Sequence, residues 1–119
     1  LAVTKILDGP DETIYGPYRM MAGPGHRFLH VYVALKNLGD HTRGWNWRRC
    51  GLDYGSEEYL PVLAMPVTMT YAPMDDKFKD NVFRGEEIER RVVVNYPAGD
   101  TLPTRLKCGD IVLPLRLNQ

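Results

Sequence analysis

Hydrophobic residues in this chain recur mostly at every second position, in short runs separated by turn residues. The clearest run is FLHVYVALKN (28–37). Leu29, Val31, Val33 and Leu35 fall on one side of it, and Phe28, His30, Tyr32, Ala34 and Lys36 on the other. A period of two with β-branched and aromatic content predicts a strand with one face in a core. The run stops at NLGD, where Asn37, Gly39 and Asp40 supply turn chemistry. EEIERRVVVNYP (86–97) repeats the pattern: Ile88, Val92, Val94 and Tyr96 share a face with Arg90 as the odd member, and Pro97 ends the pairing. In TRLKCGDIVLPLRL (104–117), Leu106 and Cys108 precede a Gly109-Asp110 turn or bulge. Ile111, Leu113, Leu115 and Leu117 then alternate with polar or proline partners.

Weaker strands are predicted at AVTKIL (2–7), TIYGPYRMM (13–21), WNWRRCGLDY (45–54) and EYLPVLAMPVTMTY (58–71). One segment has helical spacing, MDDKFKDNVF (74–83), with Met74, Phe78 and Val82 four apart. Nine prolines and eleven glycines cut the chain into short strands. The expectation is an all-β, two-sheet antiparallel sandwich of about seven or eight strands. Leu29, Val31, Val33, Leu35, Val92, Val94, Leu113 and Leu115 are expected between the sheets.

At 119 residues the chain fits one domain over 1–119, long enough to bury a core of its own. Its 15 basic residues cancel its 15 acidic ones, so no global charge draws it to nucleic acid or an anionic surface. Ten of the basic residues are Arg, which suits planar ion pairs and interfaces. No stretch reaches the ~18 apolar residues of a membrane helix.

Several segments together resemble a known family. GHRFLHVYVALKNLGD (25–40) has a leading Gly, an aromatic, alternating apolar positions and an Asn before a Gly-Asp turn. GLDYGSEEYLP (51–61) sets Asp and Gly before a Tyr and a Pro, and RGEEIERRVVVNYP (84–97) is a Gly-Glu turn followed by an apolar strand ending in Pro. This pattern, over about residues 26–117, is similar to a bacterial domain family of unknown function with an immunoglobulin-like sandwich. That family occurs in lipoproteins and secreted proteins and is related in fold to a small secreted mycobacterial antigen. Arg84 stands where the family has Pro. The resemblance implies an extracytoplasmic place, secreted or held by a lipid anchor ahead of Leu1, and a binding or structural job. It brings no catalytic residues and no cofactor.

The residues themselves offer little catalytic chemistry. Three His (His26, His30, His41) and one serine, Ser56 in a polar turn, do not make a recognisable triad. Zinc spacings are absent, and Asp75, Asp76, Asp80 and Asn81 lack the order of a calcium loop. The rival to a binding module is a small exported copper-binding protein, using the three His with Met20, Met21, Met65, Met69 and Met74.

Two features bear on a site. Cys50 and Cys108 each share an inward face with a leucine, Leu52 and Leu106, and are expected to pair if the protein is exported. In RGWNWRR (43–49), regular parity with Cys50 inward turns Trp45 and Trp47 outward beside Arg43 and Arg49. A bulge at Arg48-Arg49 shifts that phase and sends one Trp inward, the arrangement favoured here because a buried Trp contributes more to a small sandwich. Whichever indole stays outside, with Arg43 and Tyr32, is the expected contact surface for a protein or glycan partner.

Overall fold

The structure, a computed structural model, describes residues 2–8, 12–15, 18–54, 57–66, 71–72, 78–99 and 103–115. The two runs with the strongest alternation form its two longest strands, β4 (His26–Lys36) and β11 (Glu87–Pro97). They pair antiparallel over their full lengths, so that Leu29 opposes Val94, Val31 opposes Val92 and Leu35 opposes Ile88. The register follows from the pleat: a slip of one residue would turn every inward side chain outward. β1 (Ala2–Asp8) flanks β4 and β8 (Pro61–Pro66) flanks β11, giving the sheet order β1-β4-β11-β8. The prolines bounding β8 cannot donate to a further strand, which blunts that edge.

A second four-stranded sheet runs β13-β12-β6-β7. It is built from β6 (Cys50–Tyr54), β7 (Glu57–Tyr59), β12 (Arg105–Cys108) and β13 (Ile111–Pro114). Gly109 turns β12 into β13 with a φ of 64°, a left-handed conformation that costs glycine nothing. Two smaller pairings complete the fold. β5 (Arg43–Asn46) pairs antiparallel with β10 (Lys79–Val82), and β2 (Glu12–Tyr15) lies between β3 (Tyr18–Met21) and the short parallel β9 (Tyr71–Ala72).

The two larger sheets share one apolar core, a β-sandwich-like arrangement. Leu29, Val31, Val33, Val92 and Val94 come from the first sheet, and Leu52, Leu106 and Leu113 from the second, with Leu115 just beyond it. Tyr54 and Tyr96 meet edge to face across the two sheets, with ring centroids 5.4 Å apart. Leu35 lies partly buried against this cluster. Each fully buried aliphatic side chain contributes roughly 1.5–3 kcal/mol.

Three expectations are corrected by the structure. The side of β4 opposite the core is not an open face: Phe28, His30 and, on β11, Val93 are buried there too. Asn95 Nδ2 donates to the Ala22 carbonyl at 3.2 Å, which brings the segment after β3 over that side. The described part of the helical candidate is a strand, Lys79–Val82. A spacing of four satisfies a period of two as well as 3.6, and pairing with β5 decides between them. Met74 lies outside the described residues, as does Leu117. Ile111, at the end of the edge strand β13, is exposed while Leu113 and Leu115 are buried.

Candidate functional site: the cleft beside Trp45

Between β5 and β6 the chain makes a single 3-10 turn, Trp47–Arg49. Asn46 caps it: its backbone stays extended while its side-chain oxygen accepts the Arg48 N–H at 2.9 Å. The turn breaks the strand phase, so Trp47 and Cys50 both enter the core. Trp47 is 0% exposed. Its backbone N–H donates to the Phe78 carbonyl and its Nε1–H to Asp80 Oδ2 at 2.7 Å. Asp80 also receives Arg90, through Nε at 3.0 Å and Nη2 at 3.1 Å. The charged member of the β11 core face is thus held in a fork, and the buried indole has a polar partner.

Trp45 remains half-buried at the rim of the core, edge to face with Trp47. The Arg49 guanidinium lies over its ring, 4.8 Å from the centroid. Beside it the loop after β4 is fixed by the buried Asn37. The Asn37 Nδ2 donates to the carbonyls of His41 and Val82, both at 2.9 Å, and its Oδ1 accepts the Gly39 N–H at 2.9 Å. Backbone bonds from Asn37 N–H to the Glu86 carbonyl and from Gly85 N–H to the Asn37 carbonyl tie in the loop before β11. That loop turns at Gly85, φ 76°, and is closed by Glu86 N–H to the Phe83 carbonyl at 2.9 Å. The Asn37-Gly39 and Gly85-Glu86 motifs read in the sequence are therefore two halves of one scaffold.

This scaffold and β5 enclose a cleft of about 460 Å³. Its floor and walls are Leu35, Val82, Trp45, Asn37, Gly39 and Gly44, and Leu38 stands at its edge, 87% exposed. The ionisable side chains that line it are Lys36, Arg43 and Arg49, with no carboxylate among the described residues there. The surface recess continues past Asp40 and Arg84 on one side and past Lys79, Asp80 and Asn81 on the other. An apolar pocket with a few convergent polar groups is the usual form of a ligand site.

Of the residues expected to form a contact surface, the structure brings Arg43 and Trp45 together here. It places Trp47 inside the core instead. Tyr32 projects from the opposite side of β4, away from the core, and does not line the cleft. The β4 alternation carried that information, since Tyr32 and Leu35 have opposite parity. Lys36, Asn37 and Leu38 were legible only as strand end and turn, and their role depends on the approach of the loop before β11.

Cys50 and Cys108, directly opposite each other on β6 and β12, form a disulfide. His26 begins β4, His41 lies beyond its other end, and His30 is buried within the strand. No group of three or more His, Cys, Asp or Glu suited to a metal occurs among the described residues. Ser56, Met69, Met74, Asp75 and Asp76 lie outside those residues, as do the side chains of Met20 and Met65. Among the described residues no helix is long and apolar enough to cross a membrane. No family model, curated protein or solved structure matches the chain.

Proposed function

We propose that the chain is a non-enzymatic, extracytoplasmic module with an immunoglobulin-like sandwich, which engages a protein or glycan partner through the Trp45 cleft. The observation that carries this reading is the cleft itself: an apolar floor, a half-buried Trp, three cations from the end of β4, the start of β5 and the 3-10 turn, and a wall of loop that the buried Asn37 holds in place. Trp and Arg dominate binding hot spots because they bring large contact area and directional donors together.

The strand orders support the immunoglobulin-like part. β1-β4-β11-β8 follows the order A-B-E-D of such domains, and β13-β12-β6-β7 follows G-F-C-C′. A buried Trp next to the C-like strand, here Trp47, fits the same scheme. The disulfide differs from the B–F bridge of antibody domains, since it joins the C-like and F-like neighbours of one sheet. A bonded pair of cysteines supports the extracytoplasmic part, because disulfides persist in oxidising compartments.

Binding of the labelled protein to printed arrays of peptides and glycans tests the functional reading, with the exposed rim variants Arg43→Glu and Leu38→Glu run alongside. The parent should bind a defined subset that both variants lose. A parent that binds nothing, or variants that bind the same subset equally well, would contradict it.

A further inference from the structure

We propose that the cleft receives the carboxylate of an acidic peptide segment, with an apolar neighbouring residue, presented by a protein partner; this rests on the binding reading above. The cleft is rich in donors and poor in acceptors. Lys36, Arg43 and Arg49 line it, and none of them has a carboxylate partner among the described residues. Trp45 offers no acceptor either: its ring lines the cleft, and its one polar atom, Nε1–H, is buried and meets no acceptor among the described residues. The neighbouring indole differs, because Trp47 gives its Nε1–H to Asp80. The side-chain oxygen in the wall, Asn37 Oδ1, already accepts from Gly39. A ligand that fits must therefore supply acceptors and negative charge, and a carboxylate matches the planar Arg fork.

The rest of the cleft selects the body that carries the charge. Leu35 and Val82 form an apolar floor, and Leu38 projects at the rim. Sugars are held by stacking on open aromatic faces, whereas one face of Trp45 is already covered by Arg49. An aliphatic side chain beside Asp or Glu meets Leu38 and the floor better than a hydroxylated ring does. At about 460 Å³ the cleft suits a short segment rather than a whole domain face.

The two tryptophans give two indole N–H resonances in a nitrogen-15 spectrum, which the variant Trp45→Phe assigns. The probes are acetyl-Leu-Asp-Leu-amide, its Asn and Lys counterparts, and a trimer of glucuronic acid. The Asp peptide should shift the Trp45 resonance saturably and leave that of Trp47 in place. The Asn peptide and the variant Arg43→Gln should each weaken binding about tenfold, and added salt should weaken it further. An unmoved Trp47 resonance reports that Arg43→Gln is folded. Equal binding of the Asn peptide, or undiminished binding by Arg43→Gln, would overturn carboxylate recognition. Tighter binding of the glucuronate trimer would overturn the peptide assignment and leave the binding reading standing. If no probe moves Trp45 while the arrays show rim-dependent binding, the peptide proposal alone falls; blank arrays bring down both.

Discussion

Asp80 and Arg90 meet in a two-bond fork at the margin of the core, and the same carboxylate accepts the indole N–H of Trp47. Arg90 and Asp80 are each roughly four-fifths buried, so the pair is shielded from solvent more than a surface salt bridge. Removing one partner strands the other. Asp80→Ala should cost about 2–4 kcal/mol in denaturant unfolding, because three N–H donors, from Trp47 and Arg90, lose their acceptor. The double variant Asp80→Leu/Arg90→Met should cost much less than the sum of the single changes, since apolar groups replace both charges. Additive losses would mean that the fork contributes nothing as a unit.

The same Arg90 changes what a charge in the core does. Val31 opposes Val92, whereas Val33 opposes Arg90. Both valines are fully buried. Val31→Asp puts a carboxylate among aliphatic neighbours at a cost of several kcal/mol, a large part of the roughly 5–15 kcal/mol that holds a domain together. It should unfold the protein. Val33→Asp should be milder, with Arg90 drawn from Asp80 towards the new carboxylate. Thermal melts of both variants check this, and a Val31→Asp protein that melts like the parent would contradict the register of β4.

Much of this register was legible in the sequence, and the reason is particular. β4 and β11 pair without a register shift, so parity alone places Leu29, Val31, Val92 and Val94 inward. Parity fails where a turn intervenes, as at Asn46–Arg49. The sequence could raise that break as a choice but could not say that Trp47 enters and Trp45 stays at the rim. It fails also where a second layer covers a face, which is why the burial of Phe28 and His30 was unreadable. Asp80 was read among loop oxygens, because its partners Trp47 and Arg90 are 33 and 10 residues away. The cleft was half legible. Arg43 and Trp45 announce themselves by residue type, but Lys36 and Leu38 join them through the contact of two distant loops.

Asn37 is the residue on which that contact rests. Asn37→Asp keeps the size and the oxygen that accepts from Gly39, but sets an acceptor against the carbonyls of His41 and Val82. A loss of about 1–3 kcal/mol is expected from the unmade bonds. Hydrogen exchange at the Gly39 and Gly85 amides should quicken while the β4–β11 ladder keeps its protection. Equal quickening throughout would show that Asn37 supports the whole fold rather than the cleft.

The disulfide joins cysteines 58 residues apart, both facing the core. In the chain-entropy model a loop of that length stabilises by about 4 kcal/mol. Thiol titration of the denatured, unreduced protein should find no free thiol. The Cys50→Ala/Cys108→Ala protein should unfold at markedly lower denaturant. Two free thiols in protein recovered from its native compartment would contradict both the bridge and the extracytoplasmic proposal.

The cleft exists as a binding surface only if the turn at Trp47–Arg49 sorts the two indoles, one inside and one at the rim. Acrylamide quenching of the variant Trp45→Phe, which leaves Trp47 as the sole tryptophan, measures this directly against the parent when the indole alone is excited. Trp47 alone should be nearly unquenched, and the parent, with Trp45 present, clearly more quenched. Trp47 quenched as readily as free N-acetyltryptophanamide would place it outside the core, and a parent as shielded as the variant would mean that Trp45 presents no surface to a partner.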